Sequence, residues 1–383
     1  MENLQLAYQK AKRGKSRKAS VIEFTENLNV NLNALHEELS NQTYKPRPLR
    51  RFIIRDPKTR TIHAAHFCDR LVHHALINLL EPIFEPRFIY DCHASRKGKG
   101  TLRAIQRFDE FLREVTNGGK LIHEPHSENN IVGYVFKADV KHFFDTVDHA
   151  TLMSIIASKV ADKKILWLIK QILDNFKGDV KGLGMPLGNF TSQFFANIYL
   201  TRLDYFVKHV LKAKYYIRYV DDLVILHRNK AILQEYARKI NLYLKHLKLE
   251  LHPDKSAIHA LRNGVTFLGY RVFYHNKLLR KRNIRHYMRK FKNYELLHKN
   301  GQLSEEDFLE KLQGWFGYAQ WANTFKLREN LKKRTSIGGG ANADFVIYFE
   351  NTRNELFIYF WNLLTYKEFA ENFHPLTNFS VNI

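Results

Sequence analysis

Apolar residues recur along this chain in two rhythms, and the alternation between them divides it into elements. Leu28, Leu32, Leu35 and Leu39 fall three or four apart, which predicts a helix. The following "YKPRPLRRFIIRDPKTRTIHAAHF" is punctuated by proline and rich in arginine, and predicts an extended basic hairpin. Helical spacing returns from about Cys68 to Phe88, and residues 117–130, "NGGKLIHEPHSENN", predict a polar loop. Then come a strand ("IVGYVFKADV"), a helix over about 149–175, a Gly-rich turn at 182–190 and a helix over about 191–212. "AKYYIRYVDDLVILHRN" reads as two β runs meeting at Asp221 and Asp222. A helix over about 230–248, the β pattern "GVTFLGYRVF", and helices over 277–299 and about 305–330 complete the pattern. Gly338 to Gly340 predict a hinge before an aromatic segment spanning 341–373, whose rings need something to pack against.

The two adjacent carboxylates break the apolar pattern. Asp is a poor strand former and like charges repel, so a solvated turn and a pair aimed at a divalent metal both stay open. A third acid, Asp139, ends the otherwise apolar run from Ile131 to Val140. The helices between it and Asp221 are long enough to return the chain beside its first strand. Three carboxylates gathered there repel one another at neutral pH unless cations neutralise them. Two Mg²⁺ ions about 4 Å apart would let such a cluster activate a 3′-hydroxyl and stabilise departing pyrophosphate.

Composition narrows the partner. The chain has 383 residues, 45% hydrophobic, enough for a real core and two or three subdomains. Lys and Arg number 61 against 38 acids, a formal +23, which points to a polyanion and above all to nucleic acid. Residues 277–299 carry nine Lys or Arg and one acid, Glu295, while Ile284, Tyr287, Met288, Phe291 and Tyr294 form a packing face. No apolar run approaches the roughly 20 residues that span a bilayer, and the opening "MENLQLAYQKAKRGKSRK" lacks a signal-peptide core. Cys68 and Cys92 show no metal-binding spacing. The expectation is a reduced, cytoplasmic protein that binds nucleic acid and no membrane.

"ADVKHFFDTVDH", "GMPLGNFTSQFFANIYL", "YIRYVDDLVIL", "LELHPDKSAI" and "VTFLGYRV" follow in an order that resembles the palm of reverse transcriptases. "PKTRTIHAAHFCDRLVHHALINLLEPIFEPRF" resembles the fingers of their bacterial branch, and "LQGWFGYAQWANT" the thumb. The resemblance covers about residues 40–330. It implies an α+β right-hand polymerase: a basic N-terminal helical segment (1–40), fingers (41–130), a palm with an antiparallel sheet and helices (131–274), an α-helical thumb (275–335) and an aromatic extension (336–383). It also implies RNA-directed DNA synthesis with two Mg²⁺ ions (Mn²⁺ being able to substitute), dNTPs, a template RNA and nascent cDNA.

The resemblance implies the following site roles, position by position. Asp139 and Asp221 bind metal, with Asp222 supporting and the Val140 carbonyl completing the shell. Phe144 is the steric gate against a ribose 2′-hydroxyl, with Phe143 the better core residue. Arg55, Lys58 and Arg60 grip the triphosphate, and Lys255 protonates the leaving pyrophosphate. Gly188, with Asn189 and Gln193, lets template and nucleotide approach the backbone. Arg282, Arg285 and Arg289 contact phosphates. Retroviral and group II intron enzymes usually carry Gln where Leu187 stands and Pro where Gln193 stands. The "GNFTSQ" form, with "RRFIIRDPKTR" and "YVDD", most resembles diversity-generating retroelement enzymes, which err at template adenines and act with a small basic accessory protein. Related phage-defence enzymes that copy a noncoding RNA are the nearest alternative, and a silent RNA-binding module the alternative of another class. An intron-type enzyme is disfavoured, because about 50 residues follow the thumb and no cysteine pairs mark a nuclease domain.

Overall fold

The computed structural model describes residues 1–55, 58–124 and 127–335, so the Gly338–Gly340 hinge and the aromatic segment lie outside the described residues. In chain order the elements begin with helices α1 (Glu2–Lys12), α2 (Ala19–Glu26) and α3 (Leu28–Ser40). The hairpin β1 (Arg50–Ile54) and β2 (Arg60–Ala64) precedes α4 (Phe67–Phe84) and α5 (Thr101–Val115). A second hairpin, β3 (Leu121–Glu124) and β4 (Ser127–Ile131), leads into β5 (Tyr134–Asp139). The short α6 (Phe143–Thr146) is followed by α7 (His149–Ala157), α8 (Lys163–Asp174) and α9 (Phe190–Tyr205). Then come β6 (Tyr215–Tyr219), β7 (Asp222–His227), α10 (Lys230–His246) and β8 (Ala257–Ala260). The strands β9 (Val265–Phe267), β10 (Tyr270–Val272) and β11 (Lys277–Leu279) precede the helices α11 (Lys281–Lys299), α12 (Glu305–Ala319) and α13 (Phe325–Thr335).

Several of these correct the sequence reading: α5 falls outside the expected elements, residues 277–279 form β11 ahead of α11, and the helix expected over about 305–330 is two, α12 and α13. Residues 117–130 contain a hairpin rather than a loop, because main-chain pairing of β3 with β4 needs no apolar alternation. The helix expected over 149–175 is two helices. Each starts at an aspartate cap: Asp148 accepts from the Thr151 amide and Asp162 from those of Lys164 and Ile165.

The described residues form two compact units. One comprises Met1–Phe88 and Phe144–Tyr199. Its N-terminal core packs Tyr8, Phe24 and Phe67 in edge and stacked contacts, with Leu71 and Val72 fully buried. The other comprises Ile89–Phe143 and residues 200–335. Its centre is an antiparallel four-stranded sheet of order β6-β7-β5-β8. Val135, Ile217 and Val224 point from it into a core shared with Phe108 of α5 and Phe267 of β9. A separate cluster joins α11 to α12, where Tyr287 stacks on Trp315 at 4.1 Å and Phe291 is fully buried. Among the described residues no helix is long and apolar enough to cross a membrane.

Candidate active site

The carboxylates gather through strand register. β5 and β7 are the two inner strands of the sheet, and their pairing sets Asp139 directly opposite Asp222. Asp222 also pairs with Tyr219 across the β6–β7 hairpin, which leaves Val220 and Asp221 as its two-residue turn. The Val140 amide donates to the Asp221 carbonyl at 3.2 Å, so the turn lies against the end of β5. Asp139 and the adjacent pair Asp221 and Asp222, distant in sequence, thus share one sheet end.

Their electrostatics follow from that crowding. The Asp221 carboxyl is pushed up to about 7 by burial first, then by the charges of Asp139 and Asp222, with Lys255 opposing. Lys255 reaches Asp139 Oδ2 with its Nζ at 2.6 Å, and the Lys137 Nζ lies 3.9 Å from Asp222 Oδ1. The donor set is all hard oxygen, which suits Mg²⁺ or Mn²⁺, and burial together with the neighbouring acids disfavours a full set of charges there without a cation. Among the described residues, no three acid, His or Cys side chains converge on a single metal position as they stand. Asp139 is instead neutralised by Lys255. The residues present fit a divalent cation in chemistry, with side-chain adjustment needed to close on it.

The other expected site residues belong to the unit built from Met1–Phe88 and Phe144–Tyr199. Arg55, Lys58 and Arg60 are all exposed on or beside the β1–β2 hairpin. The 187–189 segment docks along β2: the His63 amide donates to the Leu187 carbonyl at 2.9 Å, and the Ala65 amide to Asn189 Oδ1 at 3.0 Å. Asn189 is buried and acts here as a pin for the chain rather than as an open contact. Gly188 has φ +107, and a Cβ there would lie 2.5 Å from Ile62 Cγ2, so only glycine fits. Phe144 is half-buried, and its carbonyl accepts from the Met185 amide at 2.6 Å, whereas Phe143 is 2% exposed. Gln193 lies half-buried on the first turn of α9. In the second unit Arg282, Arg285 and Arg289 are exposed on α11.

The sequence reading passed over one cluster. Arg218, two residues upstream of the turn that carries Asp221, and Asp204 on α9 are both 0% exposed and paired bidentately. The signal was present: an arginine amid the apolar run "YYIRYV" needs a buried partner or a kink.

Comparison with known proteins matches this arrangement to a family. Residues 54–272 match the family described as reverse transcriptase (RNA-dependent DNA polymerase). The group II intron-encoded protein LtrA of Lactococcus lactis subsp. cremoris is 30% identical over 187 residues, covering 47% of this chain and 28% of that protein. Protein YkfC of Escherichia coli (strain K12) is 27% identical over 297 residues, covering 67% of this chain and 73% of YkfC. Apo telomerase from Candida tropicalis aligns at 14% identity with a TM-score of 0.45, over 61% of this chain and 49% of that one. The chain therefore spans under a third of LtrA's length. This chain belongs to the reverse transcriptase family, and its antiparallel sheet and helices form the α+β right-hand polymerase fold.

Proposed function

We propose that this chain is an RNA-directed DNA polymerase that extends a DNA strand on a template RNA, with Asp139 and Asp221 at its catalytic centre. The observation that carries the reading is the shared sheet end, where Asp139 faces Asp222 and the Asp221 carboxyl is pushed up to about 7. A module that only bound RNA would gain nothing from three mutually repelling acids. Residues 131–274 serve as palm and 275–335 as thumb.

Asp139 and Asp221, with Asp222 and the Val140 carbonyl in support, would hold the divalent ions. Bound Mg²⁺ supplies charge neutralisation at the attacking 3′-oxygen and the leaving pyrophosphate. The chain's own residues do the rest. Lys255 stands 2.6 Å from Asp139 with its ammonium available to donate a proton to the departing pyrophosphate. Arg55, Lys58 and Arg60 present exposed cations to the triphosphate. Phe144 fills the space a 2′-hydroxyl would need. Gly188 lets the 187–189 segment turn against Ile62, and that segment would lie beside the templating pair.

The "GNFTSQ" string and Leu187 support a diversity-generating retroelement type that copies a dedicated RNA with errors at adenines and works with a small basic accessory protein. A defence enzyme copying a noncoding RNA uses the same chemistry. An intron RNA as template is a further reading, supported by the intron-encoded relative. Primer extension on a defined RNA tests the activity. Wild type should add dNTPs in Mg²⁺, Asp139→Asn should fall at least 100-fold, and Phe144→Ala should lower the dNTP-to-rNTP preference. Retained synthesis in Asp139→Asn would remove the reading, and sequencing the cDNA made on co-purified RNA would separate the templates.

A further inference from the structure

The turn that carries Asp221 is strained. Val220 has φ +55, a left-handed backbone that a β-branched residue adopts only at a cost. Nothing in the Val220 side chain favours that conformation. Something around it must hold the turn.

Arg218 supplies the hold. Its Nε donates to Asp204 Oδ1 at 2.8 Å and its Nη2 to Asp204 Oδ2 at 2.6 Å, so the fork is spent on one carboxylate. The Tyr216 hydroxyl donates to the same Oδ1 at 2.8 Å and fixes the carboxylate from a second side. The remaining arm, Nη1, donates to the Val220 carbonyl at 3.1 Å. The main chain is anchored as well. The Arg218 amide donates to the Asp91 carbonyl, and the His93 amide to the Arg218 carbonyl, both at 3.0 Å. Asp91 is in turn held by the Arg107 Nε at 2.8 Å.

A salt bridge wanted only for stability would not need this shape. Buried ion pairs give up much of their Coulomb gain to desolvation, and an apolar pair of similar volume often does as well. What an apolar pair cannot do is place a rigid planar donor on the Val220 carbonyl. Lysine could neutralise Asp204 but has no fork to span both acceptors.

We infer that Arg218, locked by Asp204 and Tyr216, is a positioning residue that keeps the Val220–Asp221 turn in its strained form and thereby sets the Asp221 carboxylate against Asp139. The inference rests on the polymerase reading for its catalytic consequence. Its structural consequence, the placement of Asp221, can be read without catalysis.

The test uses the full chain, with primer extension and with Mn²⁺ binding followed by electron paramagnetic resonance. Arg218→Lys should lower kcat at least tenfold and raise the half-saturating Mn²⁺ concentration several-fold, with the KM for dNTP moving less than about threefold. Val220→Gly added to that variant should restore much of both, because glycine takes φ +55 without a clamp. A pair serving stability alone would lower the melting temperature and leave kcat per folded molecule unchanged, and a more flexible glycine would not rescue it. If lysine leaves the chain unfolded by circular dichroism, Arg218→Gln with Asp204→Asn removes both charges at similar volume and should give the same losses and the same rescue. Wild-type kcat and Mn²⁺ affinity in Arg218→Lys, or losses that Val220→Gly does not relieve, would overturn the inference. A wild type that binds Mn²⁺ but extends no primer would remove the polymerase reading instead, and the Mn²⁺ arm would still judge the turn.

Discussion

Asp221 carries a conflict that a single substitution can expose. An ordinary aspartate titrates near 4, and this one is pushed up to about 7 by burial and by Asp139 and Asp222. Between those values the folded chain keeps a proton that the unfolded chain gives up. The group's favourable contribution is therefore full below about pH 4 and is lost as the pH rises to about 7. Above that, the folded state bears a crowded, uncompensated charge. Asp221→Asn should be more stable than wild type at pH 8 in EDTA, by about 1–3 kcal/mol after allowance for its partial exposure, and should melt higher. The gap should shrink as the pH is lowered from 7 to 5, and Mg²⁺ should raise the melting temperature of wild type but not of the variant. Thermal melts across pH check this, and equal stability at pH 8 would mean the three acids do not repel. The acids stood out in the sequence, since Asp139, Asp221 and Asp222 interrupt apolar runs, although for the adjacent pair a solvated turn stayed open beside a metal site. Arg218 and Asp204 were harder to find, because their meaning lies in a pairing across β6 and α9 that no spacing rule encodes.

Elements were legible where one face had to be apolar. Ile284, Tyr287, Met288, Phe291 and Tyr294 gave α11 from period alone, and Tyr287 and Phe291 are its buried residues. The misplacements at 149–175 and 117–130 arose where local chemistry outweighs period. The break between α7 and α8 was written in "SKVADKK", a polar interruption with an aspartate cap ahead of a new run. The β3–β4 hairpin is held by main-chain pairing, which polar composition does not report. On α11 the only acid of residues 277–299, Glu295, is taken up by Arg334, whose Nε and Nη2 reach it at 3.1 and 2.6 Å. Arg282, Arg285 and Arg289 are exposed on the same helix, in a stretch of nine Lys or Arg and one acid. Changing all three to Glu should lower RNA affinity and flatten its dependence on salt by about two to three in the log–log slope. Affinity titrations at several salt concentrations measure that slope. An unchanged slope would mean that this face meets solvent rather than phosphate.

At the scale of the whole molecule, a formal charge of +23 gathers nucleic acid but chooses no sequence, so fidelity has to come from the few groups beside the templating pair. Leu187 is placed for such a role by resemblance, and its backbone is fixed, since its carbonyl accepts from the His63 amide on β2 at 2.9 Å. Substitution there changes the side chain without releasing the segment. Leucine offers no hydrogen bond, which leaves selection to base pairing and stacking. A well-placed polar contact is worth about 1–3 kcal/mol of discrimination, roughly fivefold to 150-fold. Wild type should therefore misincorporate, with errors concentrated opposite template adenine if the retroelement reading holds. Leu187→Gln should reduce those errors several-fold while synthesis continues. Deep sequencing of cDNA from a defined RNA provides the count. Accurate copying by wild type at every template base would remove the retroelement reading and leave the defence and intron readings to be separated by the RNA that co-purifies.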